Sequence, residues 1–86
     1  MSNEFKVGDF IMANDNTDEY SLPVFVWAIV HDETQWFYVI NSLNGDSKEK
    51  IIEKFPHHKF VLPNHAKFDI VSHDQITSSF SLRKQV

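Results

Sequence analysis

The chain has no cysteine, only two glycines and three prolines among its 86 residues. Without cysteine there are no disulfides and no thiolate metal sites, a usage that suits a cytoplasmic protein. With glycine confined to Gly8 and Gly45, no phosphate-cradling glycine loop can be written. No apolar run reaches the roughly 20 residues that a membrane helix needs. The opening Met1-Ser2-Asn3-Glu4 lacks the basic and apolar pattern of a signal peptide. Positive charge is scarce in one half. Residues 1–46 set Lys6 against eight carboxylates, a formal −7, whereas residues 47–86 set seven bases against four acids, a formal +3. A dominant nucleic-acid binder shows a basic excess, so the acidic half fits a basic protein partner, mimicry of nucleic acid, or ordinary solubilising charge better than binding of RNA or DNA.

What the chain does have is β-prone apolar sequence and aromatic side chains, eight of them Phe. Its length predicts one domain over residues 1–86. Phe5–Ala13 reads as a first strand, bent at Gly8. A polar loop over 14–21 follows, and Pro23 opens a second strand, Val24–Val30. His31–Gln35 connects it to a third, Trp36–Ile40, in an antiparallel hairpin. Asn44-Gly45 signals a tight turn. Asp46 and Glu49 have capping-box spacing for a short helix over 47–55 with Ile51, Ile52 and Phe55 on one side, stopped by Pro56; the alternative is a further strand. Lys59–Leu62 and Phe68–Val71 read as two short strands, and Ile76–Leu82 as a last short element. The expected fold is mainly β, a small SH3-like barrel of about five short antiparallel strands with one short helix.

Side chains alternate along a strand, so Val24, Val26, Ala28 and Val30 should share one face and Phe25, Trp27, Ile29 and His31 the other. In the third strand Trp36, Tyr38 and Ile40 oppose Phe37 and Val39. A barrel has one interior, so the second apolar face needs a cover: another segment of the chain, a second copy in a homodimer, or a partner. Phe25, Trp27, Trp36 and Tyr38 are the candidate binding residues, because Trp and Tyr anchor interfaces at low entropy cost. A Tudor-like peptide reader would build an aromatic cage from Trp27, Trp36 and Tyr38.

For chemistry the sequence offers little. His57, His58, His65 and His73 follow no zinc-ligand spacing, so no metal and no cofactor is expected. Asp69 and Asp74 form no defined acid pair, and no serine stands in a nucleophile elbow. Lys54–Phe60 mixes bases with aromatics as an RNA-binding face would, but a solvated edge strand guarded by lysines is the favoured explanation.

Val7-Gly8-Asp9-Phe10-Ile11, then Leu22-Pro23-Val24-Phe25-Val26, then Asp69-Ile70-Val71-Ser72-His73-Asp74-Gln75-Ile76-Thr77 together resemble the PemK/MazF family of toxin endoribonucleases. The resemblance implies an SH3-like barrel, a dimer and RNA cleavage, with Ser42 at the family's Thr/Ser position as the only carry-over; a ribonuclease here would add histidines such as His31 or His57. It also shows departures. Leu22 replaces the family's catalytic Arg, and the family's C-terminal helix has no counterpart before Val86. The sequence therefore favours a non-catalytic barrel that binds and blocks a protein, as small phage or mobile-element proteins do. A ribonuclease is the alternative.

Overall fold

The computed structural model describes residues 5–14 and 23–82. Five strands, β1 (Phe10–Ala13), β2 (Val24–Asp32), β3 (Gln35–Ser47), β4 (Lys67–Ser72) and β5 (Phe80–Leu82), form one sheet in the order β4-β3-β2-β1-β5. Every neighbouring pair is antiparallel. Two short helices, α1 (Lys48–Lys54) and α2 (His73–Ser79), complete a mainly β fold. The polar loop and the tail over 83–86 lie largely or wholly outside the described residues.

Several elements differ from the sequence expectation. The first strand begins only at Phe10, because Gly8 turns the chain with φ +97° and Asp9 N–H donates to the Lys6 carbonyl. The β2–β3 connection is a two-residue turn, Glu33-Thr34, between the paired Asp32 and Gln35. Glu33 takes φ 55°, the left-handed conformation that two-residue hairpins require. Asn44-Gly45 makes no tight turn and stays within β3. Asn41 and Asp46 both oppose Phe68, so residues 42–45 bulge out of the ladder. Gly45 belongs there for a steric reason. A Cβ at this position would collide with the Phe68 carbonyl oxygen and lie 2.6 Å from its carbon.

The helix over 48–54 is capped by Ser47 instead of Asp46. Ser47 Oγ accepts the Lys50 N–H at 3.4 Å, and Asp46 is occupied one residue earlier in the β3–β4 ladder. Only Ile51 of α1 is fully buried, while Ile52 turns outward. Residues 59–62 form no strand. They run as an irregular cover that buries Leu62, half-buries Phe60 and leaves Val61 exposed. The last element is composite: Ser72 caps α2, and Phe80 returns the chain to extended geometry for β5.

The two apolar faces of β2 and β3 are both covered, by different parts of the chain. The first core joins Phe5, Ile11, Val24, Val26, Tyr38, Ile40, Val71, Phe80 and Ile76 of α2. The second joins Ala28, Val39, Phe68 and Leu62 to Ile51 of α1, with Trp27, Phe60, Ala66 and Ile70 packed around them. The simple alternation expected of β2 fails at one point. A register shift between Val26 and Ala28 sends Val24 and Val26 to the first core and Ala28 to the second, and it returns Ile29 to the first.

Candidate functional site

The second core is sealed by α1 and the loop after it, but its row of aromatic rings continues past that cover. Phe68 is buried; Trp27 meets it edge-on at 6.3 Å, Phe25 meets Trp27 at 4.6 Å, and Phe10 meets Phe25 at 5.0 Å. All these contacts are tilted or T-shaped, the geometry the ring quadrupole prefers. Accessibility rises along the row, from none at Phe68 through half-buried Trp27 and Phe25 to 50% at Phe10. Register explains the row. Phe10 is paired with Phe25 across β1 and β2, so the two rings project from the same face. Met12, two residues from Phe10, is exposed on that face too.

One polar side chain fixes the row. Asn41 Oδ1 accepts both the backbone N–H of Phe25, at 3.1 Å, and the indole N–H of Trp27, at 2.9 Å. It sits where β2 slips register and where β3 begins its own bulge, so it holds both irregularities together. With its indole N–H satisfied internally, Trp27 turns an apolar ring outward.

The sequence-derived candidates separate. Phe25 and Trp27 lie in the exposed row. Tyr38 does not, because it has no accessible surface and its hydroxyl bonds to His73 Nδ1 at 3.2 Å on the opposite side of the sheet. Trp36 is 41% exposed at the hairpin, in a tilted ring contact with His31 at 4.5 Å. Trp27, Trp36 and Tyr38 therefore form no open cage. Tyr38 is consumed by the first core, and Trp27 packs on the second. Phe10 and Asn41 were not singled out in the sequence. The signal for Phe10 was its alternation against buried Ile11; for Asn41 there was only a polar residue closing an apolar run.

The histidines also divide. His31 and His57 line one open cleft with Val30, Asp32, Lys54, Phe55, Pro56 and His58. Ser42 is remote from it, in the β3 bulge, and is 95% buried (5% exposed). His65 is exposed, and His73 is taken up by Tyr38. Among the described residues, no three His, Asp or Glu side chains are placed to hold a metal ion. Asp69 and Asp74 sit on different elements, and Asp69 Oδ1 accepts the Ile70 N–H. Among the described residues no helix is long and apolar enough to cross a membrane.

No family model, curated protein or solved structure matches the chain.

Proposed function

We propose that this chain is a non-catalytic binding module that engages a protein partner through the row Phe10, Phe25 and Trp27, and that it acts by occupying that partner. The observation that carries the reading is the stepwise exposure of the row, from buried Phe68 to half-exposed Phe10. Its rings pack on one another and the Trp27 indole is tied to Asn41 before any partner arrives, so little side-chain entropy remains to be lost on binding. The acidic character of residues 1–46, which contain β1, β2 and the loop joining them, favours a basic partner surface. A second copy of the chain is the competing occupant, and light scattering over a concentration series distinguishes the two. The direct experiment is capture from lysate by wild type and by Phe10→Ser. The reading requires proteins retained by the first and released by the second; identical capture by both would sink it.

A ribonuclease of PemK/MazF type is the second reading, supported by the shared cleft of His31 and His57. Its expected nucleophile-side residue, Ser42, lies elsewhere. Growth arrest on induced expression, relieved by Ser42→Ala, would favour this reading over the binding module.

A further inference from the structure

The geometry points to a second ligand site. We propose that the cleft between the β2–β3 hairpin and the end of α1 binds a small phosphomonoester, more tightly as its imidazoles take up protons. The site lies at the opposite end of β2 from Phe25 and is independent of the protein-binding reading; it is the same cleft whose His31 and His57 support the ribonuclease reading. It calls for binding with no bond broken.

The cleft encloses about 220 Å³. That is below the roughly 300–1,000 Å³ of sites for drug-sized ligands, so it suits one small group. Its lining has two parts. Val30, Phe55 and Pro56 supply an apolar floor, while His31, His57, His58 and Lys54 supply donors beside a single acid, Asp32. Two of the imidazoles are oriented by aromatic neighbours. His31 meets Trp36 in a tilted contact at 4.5 Å, and His58 lies 4.5 Å from Phe60. Among the described residues, Lys54 makes an exposed ion pair to Asp46 at 3.6 Å. Pairs of that kind are weak, so its ammonium can turn to a ligand at little cost.

Charge decides between anion and cation. A transition metal would use neutral imidazoles with Asp32, but no three such ligands converge among the described residues, and Lys54 would oppose the ion. For an anion the same residues cooperate. Imidazole is the side chain whose charge changes across neutral pH. With all three histidines protonated, the groups from β2 (His31, Asp32), α1 (Lys54), the following loop (His57, His58) and β3 (Asp46, ion-paired to Lys54) sum to a formal +2. With them neutral, Asp32 and Asp46 outweigh Lys54 and leave a formal −1. A phosphate accepts N–H hydrogen bonds on several separate oxygens, so its donors need not meet at one point as metal ligands must, and apolar lining suits the organic part of a monoester.

Histidine ring signals in NMR, followed during titration with phenyl phosphate and with inorganic phosphate at constant ionic strength, test the site. At pH 5.5, saturable shifts of the His31, His57 and His58 rings are expected. At pH 8 the affinity should fall at least tenfold. The ligand gains negative charge over this range, its second pKa being about 6, so a loss reports on the protein. His57→Gln should weaken binding at least fivefold, and Asp32→Asn should tighten it severalfold. Phenyl phosphate should bind more tightly than inorganic phosphate. Absence of saturation, or weakening by Asp32→Asn, would overturn the anion site. Equal affinity for the two ligands would overturn the monoester assignment in favour of bare phosphate.

Discussion

Replacing Asn41 by Ala removes one oxygen and strands two donors. Phe25 N–H and Trp27 Nε1–H both end on Asn41 Oδ1, at 3.1 and 2.9 Å, in a part-buried setting. A typical intramolecular hydrogen bond contributes about 0.5–1.5 kcal/mol net, and leaving a buried donor unmade costs about 1–3 kcal/mol. Partial water access places each bond here near the lower figure, so Asn41→Ala should cost about 2 kcal/mol. In a domain of this size, 1 kcal/mol moves the melting temperature by about 4–8 °C, so the drop should be roughly 8–16 °C. In urea, with a slope near the low end of about 1–3 kcal/mol per molar, the midpoint should fall by about 1–2 M. Asn41→Asp keeps the acceptor and should recover at least half of the loss. Trp27 emission should shift to the red in the Ala variant, because the indole is no longer tethered. A midpoint unchanged within 0.3 M (about 0.4 kcal/mol at that slope), with unshifted emission, would refute the claim that Asn41 holds the two irregular strands together.

Other perturbations follow from the same reasoning. Gly45→Ala forces a methyl group into the Phe68 backbone, which cannot yield without opening the β3–β4 ladder; a loss of about 3 kcal/mol or more is expected in denaturant unfolding, and a loss below 1 kcal/mol would contradict the close approach. Ser72→Ala removes the α2 cap, whose Oγ accepts Gln75 N–H at 3.2 Å, and should cost about 1 kcal/mol, with Ser72→Asp close to wild type. Ile76→Ala empties a fully buried position in the first core and should cost about 2–5 kcal/mol by chemical denaturation. Val61→Ser, at a side chain 88% exposed on the covering loop, should leave the midpoint within about 0.5 kcal/mol.

Local sequence was a good guide wherever one residue's chemistry decides its geometry. Pro23 opened β2, Gly8 turned the chain, and alternation in Val24–Val30 marked four buried positions. It misled where tertiary contacts decide. Asn44-Gly45 has turn chemistry, but Gly45 is used for close approach to Phe68 inside a bulged strand. Lys59–Leu62 has strand composition, but the second core needed a lid more than the sheet needed an edge, and Leu62 and Phe60 supply it. The puzzle of strands apolar on both sides had an internal answer: α2 and Phe5 cover one face, while α1 and its following loop cover most of the other. The uncovered remainder could not be read from composition. It depends on the β1–β2 register that sets Phe10 opposite Phe25, and on a slip in β2 that pattern analysis does not show. The joining of His31 to His57 and His58 likewise depends on where α1 ends.

The account stands most directly on whether the exposed aromatic row is what binds. The measurement is the affinity of the captured partner for wild type, Phe10→Ser and His57→Gln, each shown by circular dichroism and melting to be folded. Anchor side chains of this kind carry about 2 kcal/mol or more, which is over tenfold in affinity. The account predicts at least a tenfold loss for Phe10→Ser with an unchanged fold, and none for His57→Gln. Wild-type affinity in Phe10→Ser would contradict it.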